Sequence, residues 1–243
     1  MAHGHADYGV GAPLATVHSL SDMAELAARL GSPVTFDRRG KVLWLDDFEG
    51  GVEKWTAGSN PAGGSLEWSS ESSKTGRFCA KLTLPAMIGG QAYMTCHLAY
   101  SPTATLGMEA SFALPSEDVS SLQLTMLVTG PTLTRWAALR YSVPVRKLYY
   151  ADQGGAYQEL EPAVRLGTGA NFFHTMKLVM DLDEQQYVRC VLDNHEWSMA
   201  GKGLPTQLYE GWDEFRGTVR IVAGTVTQPY ILVDGAIATT NES

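Results

Sequence analysis

From Ser65 onward, apolar residues recur at every second position in short runs, and each run stops at Gly, Pro, Asp or Asn. The clearest case is Met176, Leu178, Met180 and Leu182 alternating with Lys177 and Asp181. It is turned at Asp183-Glu184-Gln185-Gln186 and answered by the apolar run 187–192. In an extended chain alternate side chains point to opposite faces, so this period of two predicts half-buried strands joined by a hairpin. The same pattern predicts strands over 66–70, 78–84, 92–100, 106–114, 122–129, 135–143, 147–150, 157–160, 218–223 and 230–239. The separators carry turn chemistry, such as Pro85, Gly89-Gly90, Pro102, Pro115, Gly130-Pro131 and Gly154-Gly155. No helical period lies between these strands, which excludes a βαβ architecture and predicts an all-β, two-sheet antiparallel sandwich.

Two stretches depart from simple alternation. Residues 42–51, V-L-W-L-D-D-F-E-G-G, are apolar on both faces, with Val42, Trp44 and Phe48 on one and Leu43 and Leu45 on the other. A strand of that kind is normally covered twice, and a later echo, Y-I-L-V-D-G-A-I at 230–237, predicts the closing strand. Residues 19–30 change period instead. Ser19 or Ser21 can cap, Asp22 and Glu25 occupy the first turn, and Met23, Leu26, Ala27 and Leu30 recur at helical spacing before Gly31. Ahead of this short amphipathic helix, residues 1–18 are rich in Gly, Ala and His without a period and read as an extended arm. The expected organisation is an arm and helix over 1–40 and one sandwich domain over 41–243.

Composition narrows the function classes. Of 243 residues, 44% are hydrophobic and 18% charged, ample for a packed core. A net charge of -8 and scattered basic residues argue against a phosphate-backbone binder, so no nucleic-acid partner is expected. No apolar run approaches the roughly 20 residues of a membrane span, so no membrane insertion is expected. The N-terminus lacks a basic region followed by an apolar stretch, and the expectation is synthesis in the cytoplasm without a signal peptide. Cys79, Cys96 and Cys190 fall at no metal-ligand spacing and read as small buried hydrophobes, a Cys79–Cys96 bridge being the alternative.

The opening D-D-F-E-G-G followed by Trp55, the Ser73-Lys74-Thr75-Gly76 turn, the F-F-H-T-M-K-L-V-M-D-L-D-E-Q-Q-Y-V-R-C-V-L-D-N hairpin and the closing V-D-G-A-I-A strand carry a resemblance. Over roughly residues 42–240 the chain resembles the concanavalin A-like lectin and glucanase superfamily, especially its laminin-G-type jelly rolls. The resemblance implies a jelly-roll sandwich with one curved sheet, in a group whose members include glycan-binding modules, glycosidases, polysaccharide lyases and adhesive domains. By position it also implies a structural calcium where first and last strands meet, with Asp46, Asp47, Glu49 and Asp234 as ligands, the alternative being acids that cap a strand and a turn. No cofactor is otherwise required.

Candidate chemistry is sparse. A glycosidase needs two carboxylates on one face flanking the sugar bond, and no E-x-D-x-E strand is present. A lyase of this fold would need an Arg, a Gln-x-His and a Tyr-bearing strand together, and only Arg140 and Tyr141 stand out. No nucleophile elbow, phosphate loop or dinucleotide fingerprint appears. The aromatics Trp44, Trp55, Trp68, Trp136, Trp197 and Trp212, with Tyr93, Tyr149, Tyr150, Tyr157 and Tyr209, can form a stacking platform for sugar rings, although most aromatics of a sandwich belong to its core; Trp197, Trp212 and Tyr209 are the preferred ligand-binding residues because they lie in or beside polar connectors. The first functional expectation is therefore a non-catalytic structural or adhesive protein. It would self-associate, or join other subunits of a virion or similar particle, through its N-terminal arm. A glycan-binding, lectin-like module is the alternative, and a glycan-cleaving hydrolase or lyase the third.

Overall fold

The computed structural model describes residues 39–99, 105–130, 132–208 and 213–242. The expected arm and helix, Tyr209 and Trp212 lie outside these residues. The described chain forms sixteen strands. They are β1 (Lys41–Asp46), β2 (Trp55–Asn60), β3 (Ser65–Ser69), β4 (Cys79–Thr83), β5 (Gln91–Ala99), β6 (Thr105–Ala113), β7 (Val119–Thr129) and β8 (Leu133–Ser142). They continue as β9 (Lys147–Ala151), β10 (Tyr157–Glu161), β11 (Phe173–Asp181), β12 (Gln186–Leu192), β13 (His195–Ser198), β14 (Thr206–Leu208), β15 (Glu214–Ala223) and β16 (Tyr230–Thr240).

Two eight-stranded antiparallel sheets result, as the alternation predicts. Sheet A runs β13-β12-β11-β6-β16-β4-β3, with β1 also on β16, and sheet B runs β10-β9-β8-β7-β15-β5-β2, with β14 on β8. The core lies between them. Met108, Phe112, Met176, Leu178, Ile231 and Val233 from sheet A meet Met94, Leu124, Met126, Leu139, Phe215 and Ile221 from sheet B, all essentially without solvent contact. Tyr187 crosses the gap from β12: its hydroxyl donates to Ala151 O (2.8 Å) and accepts from Ala138 N–H (3.1 Å), so a buried polar tip is fully bonded to two strands of the opposite sheet. All three cysteines are free and buried, with Cys79 in sheet A and Cys96 in sheet B. The Cys79–Cys96 bridge is therefore not formed.

The sheets differ on their outer faces. In sheet A, β6, β11 and β16 are buried on both sides, and charges there are paired. Lys177 Nζ lies 2.8 Å from Glu242 Oε1 and Arg189 Nη2 lies 2.5 Å from Glu242 Oε2. In sheet B, β7 and β15 alternate buried and half-exposed residues almost without a break, leaving the outer face open.

The opening strand is covered less than its composition predicts. β16 pairs with β4 through Tyr230–Val233 and with β1 through Ala236–Thr240, so β1 holds only half of one edge. A register shift between Val42 and Trp44 breaks the alternation. Trp44 packs edge-to-face on Trp55, 5.4 Å between ring centres, whereas Val42 and Leu43 are 56% and 38% exposed.

Candidate functional site

The outer face of sheet B carries a cleft of about 790 Å³, and its residues follow from strand register. Because β5, β15, β7 and β8 pair in antiparallel register, polar residues of like parity fall into cross-strand rows. Thr56, Thr95, Thr218 and Thr125 form one row, and Thr95 and Thr218 hydroxyls hydrogen-bond at 3.0 Å. The next row is Tyr93, Arg220, Gln123 and Arg140. A third is His97, Arg216, Leu127 and Trp136. Gly58 ends the second row and leaves room for the Tyr93 ring, since a Cβ there would sit 2.4 Å from its hydroxyl oxygen.

Aromatic rings stand at both sides of this polar floor. Trp136 and Tyr157 rise beside β8 and β10, and Tyr93 rises from β5. The Arg140 guanidinium lies 3.8 Å from the Tyr157 ring centre and 5.0 Å from that of Tyr149, and Arg220 lies 5.8 Å from that of Tyr93. At one end Glu214 joins His97 Nδ1 (2.5 Å) and accepts from Arg216 Nε (2.7 Å). Burial pushes the Glu214 carboxyl up, but these two partners outweigh it and hold it below the usual carboxylate value. No Asp or Glu is among the described residues lining the cleft.

The four acids proposed as metal ligands each have other partners. Asp46, 1% exposed, accepts from Trp55 Nε1 (2.8 Å) and pairs with Lys54 Nζ (2.9 Å). Asp47 accepts from the Glu49 amide. Glu49 Oε1 accepts from the amides of Arg77 (2.7 Å) and Phe78 (2.9 Å), and Asp234 Oδ2 from those of Lys74 (2.6 Å) and Thr75 (2.8 Å). Two carboxylates thus cap the same turn at Gly76, whose φ of +67° favours glycine and where a Cβ would sit 2.2 Å from the capping Glu49 Oε1. Asp234 leaves the β16 ladder at a register shift beside Gly235 (φ +75°), and burial raises its carboxyl above the usual range. Among the described residues no three His, Cys, Asp or Glu converge as a metal site.

Of the three aromatics preferred for ligand binding, Trp197 alone is described. It sits on β13, at the far edge of sheet A, donates to Glu161 Oε2 (3.2 Å) and stacks on His195. It lines a separate hollow of about 390 Å³. Of the lyase pair, Arg140 faces the cleft and Tyr141 faces the core, as neighbours on a strand must.

No protein-family model and no curated protein matches the chain. Solved structures do. A cellulose induced protein, Cip1, is 15% identical with a TM-score of 0.52, the match covering 81% of this chain and 97% of that one. A Bacillus subtilis protein described as having a galectin-like fold is 12% identical with a TM-score of 0.53, covering 83% and 97%. The chain shares the two-sheet, jelly-roll β-sandwich fold of these structures. A third structure with this fold, described as the carbohydrate esterase vb_24B_21 of the Shiga toxin-encoding bacteriophage phi24B, is 14% identical with a TM-score of 0.51, covering 83% and 99%. Identities this low establish the fold alone and leave the chemistry to the residues.

The cleft residues left one trace in the sequence. Q-x-Y-x-T-x-H at 91–97, S-x-Q-x-T at 121–125 and R-x-T-x-R at 216–220 are polar or aromatic sets at a strict period of two, and Trp136 and Arg140 stand four apart on the same face of β8. Each alone reads as a solvent face. Only the register that aligns them shows one surface.

Proposed function

We propose that this protein is a glycan-binding, lectin-like module whose ligand lies along the outer face of sheet B. The observation that carries this reading is the combination, in one open cleft, of the Trp136, Tyr93 and Tyr157 rings with a floor of Thr, Gln and Arg side chains. A sugar ring has an apolar face and a rim of hydroxyls, so it is recognised by an aromatic face together with fixed hydrogen-bonding groups. The neighbours described as a carbohydrate esterase and as galectin-like point the same way. Binding without cleavage is favoured because the described lining offers no carboxylate pair to act as acid and base. A broad glycan array followed by titration tests the reading. At least one glycan binds the wild type, and Trp136→Ala weakens it by about 1–2 kcal/mol, roughly five- to thirtyfold, with an unchanged melting temperature. An array without hits, or a Trp136→Ala variant that binds as tightly, overturns it.

Assembly with like or unlike subunits is a second, compatible proposal. Val42 and Leu43 favour it, because they expose apolar surface on β1, immediately after residues 1–40. The full chain then sediments as an oligomer whose population grows with concentration, and Val42→Asp lowers it. A strict monomer at all concentrations discards the proposal.

A further inference from the structure

The charge of the cleft carries the reading further. Arg220, Gln123 and Arg140 stand side by side in one row, so the two arginines are two strand spacings apart, about 10 Å between backbones. Among the described residues neither forms an ion pair or donates a hydrogen bond to a side chain, and the Nε of each is shielded from water without an acceptor. Their recorded neighbours are ring faces: Tyr157 and Tyr149 for Arg140, and Tyr93 for Arg220. The third cleft arginine, Arg216, is neutralised by Glu214. A chain with 26 acidic and 18 basic residues thus leaves two guanidinium groups without a carboxylate, in the same cleft, with no acid among its described lining residues.

A guanidinium stays charged at every accessible pH, and two that are half-buried repel each other unless an anion comes between or beside them. Aromatic faces fix the plane of each group, which readies its N–H edge for a planar, two-oxygen acceptor. The Tyr157 hydroxyl is close enough to feel both cations and Gln123, and burial outweighs them and keeps it a neutral O–H donor. These are the elements of a carboxylate site repeated along a groove.

We infer that the cleft binds an acidic glycan, a chain carrying uronate carboxylates, with Arg140 and Arg220 as the carboxylate-binding residues. This inference rests on the glycan reading above, and it fails separately from it. The Thr56-to-Thr125 row and Trp136 serve the hydroxyls and ring faces common to all sugars, whereas the Arg220–Gln123–Arg140 row selects charge.

The test is isothermal titration of the full chain with galacturonate, mannuronate and glucuronate oligomers, each compared with the same oligomer after its carboxyls are reduced to neutral alcohols. A sulfated dextran, a neutral xylan oligomer and an oligothymidylate complete the set. The expected result is binding of at least one uronate oligomer, weakened by added salt and about 10- to 100-fold weaker after carboxyl reduction. Arg140→Gln and Arg220→Gln each weaken uronate binding by a similar factor and weaken binding of the carboxyl-reduced oligomer much less. Arg140→Lys keeps the charge and loses the fork, so an intermediate affinity supports the site even if Arg140→Gln does not fold. Equal affinity for the reduced oligomer, or binding of neutral xylan alone, overturns the acidic inference and keeps the glycan reading. Preference for the sulfated dextran or the oligothymidylate over every uronate overturns the carboxylate assignment. Absence of any saccharide binding overturns both.

Discussion

His174 shows how a single side chain records its own protonation state. Its Nδ1 lies 2.8 Å from Asp193 Oδ2 and its Nε2 lies 3.0 Å from Gly167 O, and both partners are acceptors. A neutral imidazole has one N–H, so only the imidazolium donates in both directions. Burial acts to lower its pKa, but the Asp193 carboxylate and Gly167 carbonyl together outweigh burial and hold it above the ordinary 6.5. A group raised on folding contributes stability that is fully present below the unfolded value and fades as pH rises through the folded one. The expected outcome is a gap in urea midpoint between wild type and His174→Gln that is largest near pH 5.5 and shrinks by about pH 8.5. A gap that stays constant over this range overturns the assignment.

At the scale of elements, legibility in the sequence tracks burial. Strands with one buried face, such as β7 and β15, are plain in the alternation because core contact selects every second residue. The strands without a sequence signal are β2, β13 and β14, which are short, lie at sheet edges and bury little. W-T-A-G-S-N has no alternation to read; its pairing with β5 makes it a strand, and its Gly58 serves the Tyr93 ring across the ladder. The opening acids were legible as a cluster and not as a function. Glu49 caps amides 28 and 29 residues away and Asp234 caps amides 159 and 160 residues away, so their shared turn appears only when β1 and β16 are side by side. The cleft has the same origin. Its aromatics are a few among many, and polar neighbours in sequence mark Trp197 for exposure, whereas Trp136 opens the run Trp136-Ala137-Ala138-Leu139, in which only Ala137 and Leu139 point to the core.

At the scale of the whole molecule, the three thiols divide between two bodies of packing. Cys96 and Cys190 belong to the main core between the sheets. Cys79 belongs to a small cluster with Ala113 and Leu232, covered by Ala170, Phe173 and Tyr230. Burial pushes the Cys79 thiol up to about 11 and those of Cys96 and Cys190 up to about 12, so each lacks both access and thiolate in the folded state. Labelling therefore reports opening. Exposing Cys96 or Cys190 requires the two sheets to part, which disrupts the continuous core and coincides with global unfolding. Exposing Cys79 requires only that the outer cluster lift, a smaller loss of buried apolar contact. Iodoacetamide labelling across a urea gradient, with each site read by peptide mass, should show Cys79 reacting first. Cys96 and Cys190 should follow together, at the urea concentration where tryptophan fluorescence reports unfolding. Reaction of either core cysteine ahead of Cys79, or of the two at separate concentrations, is the result that contradicts a single core shared by both sheets.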